Sequence, residues 1–159
     1  MYNCKNLTQI VTLNDYNGNY FQYETYLYNI FRNKIKNKMH YKGKPIFTRR
    51  HPMFNNKEEA FYHLTCSQVK GERLLDTRRS ERLHWIPETI NNSHTECPVE
   101  CIKYYEKNNR IHLLNELDRY IIVLEERDNY ILLITSFYIS EEHTLIKKIK
   151  DYNTYISSI

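Results

Sequence analysis

The chain has 159 residues, of which 41% are hydrophobic, so it is long enough for one domain with a substantial core. Its net charge of +4 permits attraction to nucleic acid but does not require it. No segment approaches the ~18 consecutive apolar residues of a membrane span, and the N-terminus lacks the basic start and apolar stretch of a signal peptide. We therefore expect one cytoplasmic domain over residues 1–159, with no membrane contact and a core over about residues 20–140.

Hydrophobic periodicity divides the N-terminal half into helices and short strands. It predicts a helix over 20–36, strands over 46–49 and 60–66, and a helix over 77–91. In the first helix, apolar residues recur at three- and four-residue spacing, which is typical of an amphipathic helix. Asp76 can cap the second helix, and Pro87 would kink it or end it early.

The last third is the more regular part of the sequence. It predicts a hairpin of strands 99–106 and 110–114, a hairpin of strands 119–125 and 130–139, and a closing helix over 141–152. Asn108 and Asn109 suit the positive φ angles of a tight hairpin turn. The strand 130–139 is apolar on both faces, so we expect it to be central and covered on both sides. The expected fold is α+β, with N-terminal helices packed on a mostly antiparallel sheet of about four or five strands.

Several familiar kinds of site are absent from the sequence. With three glycines, a glycine-rich phosphate loop is disfavoured, and neither G-x-S-x-G nor H-E-x-x-H occurs. Cys97 and Cys101, with His94 and Cys66, offer a weak zinc pattern because no second ligand pair completes it. Bystander thiols in a reducing compartment are the favoured interpretation, so we predict neither a metal nor a cofactor.

His63 is the first candidate for chemistry, in the segment FYHLT. A histidine in an apolar segment is often a hydrogen-bonded core or edge residue. The functional alternative is an imidazole held on a sheet face beside the hydroxyl of Thr65, which suits general acid–base chemistry near neutral pH.

An arginine-rich segment follows in the chain. It contains Arg73, Arg78, Arg79 and Arg82. A solvated charged face is the ordinary explanation of such a run. Cations at a helix N-terminus are unfavourable, however, whereas an anion there is favoured, and arginine binds phosphate in a bidentate manner. A phosphodiester site would therefore explain these charges, and the segment leaves both interpretations open.

The segment TSFY ends the predicted central strand. Thr135 shares a face with Phe137, and Ser136 shares the other with Tyr138, so only one pair can point toward a given cleft. These hydroxyls could donate to a phosphate or position a 2′-hydroxyl, or they could be ordinary strand formers.

Together the three segments suit cleavage of RNA by its own 2′-hydroxyl. This reaction needs a base, an acid, and cations for the charge that develops at phosphorus, and it needs no metal or organic cofactor. DNA would be inert because it lacks the nucleophile.

The order of elements resembles the barnase–EndoU–colicin–RelE-like nuclease superfamily, and in particular its small phage- and prophage-borne, toxin-like members. The resemblance covers about residues 20–140, with specific similarity in FYHLT (61–65), ERLLDTRRSERLHWIPETI (72–90) and YILLITSFYI (130–139). It implies that RNA binds across the sheet. The implied site residues are His63 as general base or acid, Arg78 and Arg79 as the cationic helper with Arg73 or Arg82 as substitutes, and Thr135, Ser136 and Tyr138 as the hydroxyl and aromatic groups.

The sequence departs from the patterns of the superfamily and does not decide between its EndoU-like mode and its RelE-like mode, which uses Arg, Lys and Tyr and needs the ribosome to position the message. EndoU-like members use a second histidine, and here His84 lies beside Trp85 in a predicted core position. The first hypothesis is a metal-independent endoribonuclease, related to toxins or phage defence and restrained by a protein inhibitor or antitoxin. Its substrate stays open between tRNA and mRNA, and so does its oligomeric state. The alternatives are a non-catalytic phage or mobile-element accessory module that binds nucleic acid or a host protein, and an interaction domain without a nucleic-acid role.

Overall fold

The computed structural model describes residues 3–91 and 100–159, and its fold is α+β, as the sequence predicts. The helices are α1 (Tyr20–Ile30), α2 (Glu59–Thr65), α3 (Thr77–Glu81), α4 (Trp85–Asn91) and α5 (Glu142–Ser157). The strands are β1 (Met39–Tyr41), β2 (Lys44–Phe47), β3 (Cys66–Val69), β4 (Glu72–Leu75), β5 (Lys103–Lys107), β6 (Arg110–Asn115), β7 (Tyr120–Glu126) and β8 (Ile131–Tyr138). A 3-10 turn (Leu13–Tyr16) precedes α1, and a π-helical turn (Phe31–Ile35) extends it. Within the described ranges, no helix is both long and apolar enough to cross a membrane.

The main sheet has six strands in the order β1-β2-β8-β7-β6-β5, somewhat more than predicted. All neighbouring pairs are antiparallel except β2 and β8, which run parallel. β8 therefore lies inside the sheet between β2 and β7, which confirms the prediction of a central strand. A separate two-stranded sheet consists of β3 and β4.

The two C-terminal hairpins are confirmed. Asn108 and Asn109 join β5 to β6 with φ angles of 54° and 62°, as a tight turn requires. In the second hairpin, the register shifts between Val123 and Leu124 of β7, and Ile134 of β8 is the additional residue at this bulge.

Both faces of the sheet are covered by apolar side chains. One face, with Ile122, Leu124 and Leu133, packs against α1, α2 and α4. The other face, with Ile121 and Val123, packs against α5. The alternation of burial along β7 therefore divides the domain into a larger and a smaller core.

The prediction of a strand over residues 60–66 is wrong, because this segment forms α2. Its buried residues are Ala60, Phe61, Tyr62, Leu64 and Thr65, whereas His63 is exposed. A short apolar run fits a buried helix as well as a strand, so its pattern does not distinguish the two. The hairpin of β3 and β4 was also missed; its turn has Lys70 and Gly71 at positive φ.

The predicted helix over 77–91 is divided into α3 and α4. The Asp76 carboxylate accepts a 3.1 Å hydrogen bond from the backbone N–H of Arg79 and so caps α3, as predicted. Pro87 lies in the first turn of α4, where a proline displaces no helical hydrogen bond. The break therefore lies before Trp85, and Pro87 does not cause a kink.

Candidate functional site

The site lies where β8 extends beyond its partner β2. β2 pairs with β8 only at Ile131 and Leu132. Beyond these residues, the short helices α2 and α3 lie beside β8 in place of a strand. Side chains from both helices can therefore reach the rest of β8.

A hollow with a volume of about 160 Å³ lies between α2 and the sheet. Its polar lining consists of Arg49, which precedes α2, Glu59 and His63 of α2, and Arg110 of β6. Leu133 and Ile134 of β8 contribute apolar lining. An imidazole, a carboxylate and two guanidinium groups thus surround one small space.

The helical conformation of α2 brings Glu59 and His63 to the same hollow. They are four residues apart, which makes them neighbours on one face of a helix, whereas a strand would separate them by about 13 Å along the chain. The Glu59 carboxylate accepts two hydrogen bonds from Arg73, at 2.8 and 3.0 Å. Glu59 is therefore anchored beside the imidazole.

Arg79 joins α3 to both His63 and β8. Its Nη1 donates a 2.8 Å hydrogen bond to the backbone carbonyl oxygen of His63, and its Nε lies 3.5 Å from an Asp76 carboxylate oxygen. Its Cζ lies 5.7 Å from the centre of the Phe137 ring. These contacts hold one positive charge between the imidazole and the sheet.

The surroundings of His63 favour its neutral form. Burial of part of the ring, followed by the positive charge of Arg79, lowers the pKa of His63 below its usual value of 6.5. Arg49 and Arg73 lower this pKa further, and Glu59 opposes them by raising it. A neutral imidazole at pH 7 can accept a proton, which is what a general base must do.

A second hollow, between the sheet and α5, adjoins the first because Arg110 lines both. Thr135 and Phe137 of β8 belong to its lining, and so do Lys147 and Lys148 of α5. Of the two pairs in TSFY, the one that points toward a cleft is therefore Thr135 and Phe137. Arg79 reaches the edge of this hollow through Phe137.

The structure does not bring Thr65, Ser136 or Tyr138 to either hollow. Thr65 is buried in α2, where its hydroxyl donates to the carbonyl oxygen of Phe61. Ser136 is buried on the other face of β8, opposite Ile122 of β7. Tyr138 lies on that face too, and its ring contacts the guanidinium groups of Arg78 and Arg82.

Of the four arginines predicted to bind phosphate, three contact other side chains of the protein. The guanidinium of Arg82 is buried between Tyr138 and Trp85, with its Cζ 4.2 and 5.3 Å from the two ring centres. Arg78 is exposed over Tyr138 at 4.9 Å, and Arg73 pairs with Glu59. The five-residue α3 is capped by Asp76, so its N-terminus offers no site for a phosphate.

The sequence did not point to Arg49, Glu59 or Arg110. Glu59 shares a helical face with His63, but the assignment of a strand hid this relationship. Arg49 and Arg110 are far apart in the chain, and the pairing of β2 with β8 and of β6 with β7 brings them together. Nothing local to either residue marks it as part of a site.

The cysteines form no metal site in the part of the chain that is described. The Sγ atoms of Cys4 and Cys101 are 3.2 Å apart in the larger core, and Cys66 contacts Thr65 instead. Two members of the weak zinc pattern, His94 and Cys97, lie outside the described residues. Among residues 3–91 and 100–159, no group of three or more His, Cys, Asp or Glu side chains could hold a metal ion.

Comparison with protein-family models, with curated proteins and with solved structures finds no match for this chain. Its function is therefore inferred from the chemistry of the two hollows.

Proposed function

We propose that the protein is a metal-independent endoribonuclease that cleaves RNA through the 2′-hydroxyl adjacent to the scissile phosphate. The observation that carries this proposal is the accessible imidazole of His63 in a hollow that also contains Arg49 and Arg110. His63 supplies proton transfer, and the arginines supply positive charge for a phosphodiester.

The proton transfers involve a single imidazole. Neutral His63 takes the proton of the 2′-hydroxyl as the oxygen attacks phosphorus. The imidazolium that forms then gives this proton to the departing 5′-oxygen, so the products are a 2′,3′-cyclic phosphate and a 5′-hydroxyl. Glu59 stabilises the transient imidazolium, since its negative charge favours the protonated form of His63.

The guanidinium groups stabilise the charge on the phosphate oxygens. Arg49 and Arg110 line the hollow itself, and Arg79 is fixed beside it by His63 and Asp76. Donors that are held before the reaction need not reorganise as charge develops, which is the usual origin of large electrostatic contributions. Thr135, in the adjoining hollow, is the hydroxyl best located to contact the same phosphate or the next one.

We also propose that the chain belongs to the barnase–EndoU–colicin–RelE-like superfamily. A largely antiparallel sheet whose last four strands follow α1 to α4, and a basic hollow on that sheet, support this proposal. The parallel pairing of β2 with β8 departs from the fully antiparallel sheet of a simple meander. The role as a toxin or phage-defence effector, and restraint by an inhibitor protein, remain parts of the same hypothesis.

Incubation of the purified protein with total RNA in EDTA tests the proposal. Wild-type protein should yield discrete RNA fragments ending in 2′,3′-cyclic phosphate, and DNA of the same sequence should stay intact. His63→Ala should lose the activity, and His143→Ala, which changes an exposed histidine on α5, should retain it. Intact RNA with wild-type protein, or fragments ending in 3′-hydroxyl, would contradict the proposed reaction.

A non-catalytic nucleic-acid-binding module is the second candidate. The observation that favours it is the second hollow, which has several cations but whose imidazole, His112, is buried. A binder of this kind would hold RNA without cleaving it, and its affinity would survive His63→Ala.

A further inference from the structure

The hollow beneath α5 contains more positive than negative charge. Its cations are Lys107, Arg110, Lys147 and Lys148, and its one carboxylate is that of Asp151. Asp151 already pairs with Lys107 at 2.9 Å. Arg110 lies 3.6 Å from Glu125, which is outside the lining. Among the described residues, no ion pair within 4 Å involves Lys147 or Lys148, and Asp151 is the one carboxylate of the lining that acts on Lys148.

The lysines of this hollow repel one another. Burial lowers the pKa of Lys148, and the nearby charges of Lys107 and Lys147 lower it further, against the opposing effect of Asp151. Like charges kept close together destabilise the unliganded protein and are relieved by a bound anion. A cluster of lysines beside a hollow is suited to binding a phosphate.

His112 is a buried polar residue of the same hollow. Its side chain is 8% exposed and lines the same hollow, yet its Nδ1 has no hydrogen-bond partner among the described residues. Its ring stacks on Tyr105, with the ring centres 4.6 Å apart and the planes at 6°. A buried polar atom without a partner is costly, and such atoms often mark functional sites.

The hollow also offers a ring for a base. Phe137 is part of the lining and is only partly buried, and Arg79 lies over it. Single-stranded nucleic acid is commonly bound by a positively charged groove in which aromatic rings stack on the bases. Lysines along one wall and a phenylalanine from the sheet provide both parts.

We propose that this hollow is a second phosphate subsite, which binds the backbone of a single-stranded polynucleotide as it leaves the His63 hollow. Arg110, which lines both hollows, lies at the junction of the two subsites. Lys147 and Lys148 contact the backbone phosphate, and Phe137 stacks on the neighbouring base. The inference rests on the proposed function, because the strand bound in this hollow continues from the phosphate that is cleaved in the His63 hollow.

Binding of a single-stranded deoxyoligonucleotide of about 10 nucleotides separates this inference from the cleavage reaction, since DNA has phosphates but no 2′-hydroxyl. We compare Lys147→Gln/Lys148→Gln with the control Lys38→Gln/Lys150→Gln, which removes the same charge from exposed positions outside the hollow. Fluorescence anisotropy of the labelled oligonucleotide gives Kd at several salt concentrations. Circular dichroism verifies that both variants are folded.

Lys147→Gln/Lys148→Gln should bind the oligonucleotide about tenfold more weakly than wild type. The slope of the logarithm of its affinity against the logarithm of the salt concentration should become shallower by about 0.7 for each phosphate that the variant no longer neutralises. The control should bind within about twofold of wild type. Equal losses of affinity in the two double variants, or no loss in either, would overturn the subsite. Absence of RNA cleavage by wild-type protein would instead overturn the proposed function, so the two failures are distinguishable.

Discussion

Arg79 donates a 2.8 Å hydrogen bond from its Nη1 to the backbone carbonyl oxygen of His63. The same side chain lies near Asp76 and over the ring of Phe137. One arginine thus fixes the last turn of α2 against α3 and β8, and places a positive charge beside the imidazole. The charge of Arg79 also lowers the pKa of His63.

Arg79→Gln should shift the pH–rate profile of RNA cleavage. The positive charge of Arg79 lowers the pKa of His63, so its removal raises this pKa and moves the acidic limb of the profile to higher pH. The rate at neutral pH should also fall by about tenfold or more, because a fixed cation is removed. Arg78→Gln, which changes an exposed arginine over Tyr138, is the control. An acidic limb at the same pH in both variants would refute this role for Arg79.

Arg82→Met should weaken the fold and spare the chemistry. Arg82 is buried between Tyr138 and Trp85, and its Nη1 donates to the carbonyl oxygen of Arg78. We expect the free energy of unfolding, measured in urea, to fall by about 1–2 kcal/mol. Cleavage per folded molecule should equal that of wild type. A large loss of activity without a loss of stability would place Arg82 in the site.

The sequence predicted the last third of the fold better than the middle. The hairpins of β5–β6 and β7–β8 depend on local features: alternation along each strand and a turn at Asn108 and Asn109 that tolerates positive φ. The segment that became α2 is too short for its periodicity to be diagnostic. The predicted strand placed His63 on the same face as Thr65, whereas the helix places it on the same face as Glu59.

Within the candidate site, the sequence indicated residues with unusual local surroundings and missed those that the topology supplies. His63, Arg79 and Thr135 were proposed, and all three lie in or beside the two adjoining hollows. Arg49 and Arg110 reach the site only because β2 joins β8 in parallel and β6 follows β7. Such long-range pairing leaves no trace in a short window of sequence.

Thr135→Val and Ser136→Ala should have opposite consequences, although the two residues are adjacent. Thr135 lines the hollow beside Arg110, so its nearly isosteric replacement should slow RNA cleavage by about tenfold at unchanged stability. Ser136 is buried on the other face of β8, so its replacement should cost about 1 kcal/mol of stability at unchanged activity per folded molecule. Single-turnover rates and urea unfolding measure the two effects, and the reverse assignment would contradict the orientation of β8.

Acidification should destabilise the fold in part through His112. Burial, aided by Lys148, lowers the pKa of His112 to about 4. The unfolded chain therefore binds a proton at this residue between about pH 6.5 and 4, whereas the folded protein does not. Stability is retained above this window and falls as the pH decreases through it.

His112→Phe should reduce the loss of stability between pH 7 and pH 4.5. The contribution of His112 to this loss is on the order of 3 kcal/mol at most. Burial also lowers the pKa of His84, so some acid sensitivity of the same sign should remain in the variant. Urea unfolding at the two pH values measures the difference, and equal losses in wild type and variant would show that His112 does not titrate in this way.

Rescue by free imidazole tests the role of His63 most directly. In EDTA, wild-type protein should cleave a single-stranded RNA oligonucleotide, and His63→Gly should do so at least about 100-fold more slowly. Added imidazole should restore part of the rate in the variant, and His143→Gly should need no rescue. Cleavage by His63→Gly at the wild-type rate would contradict the assignment of His63 as the group that transfers the proton.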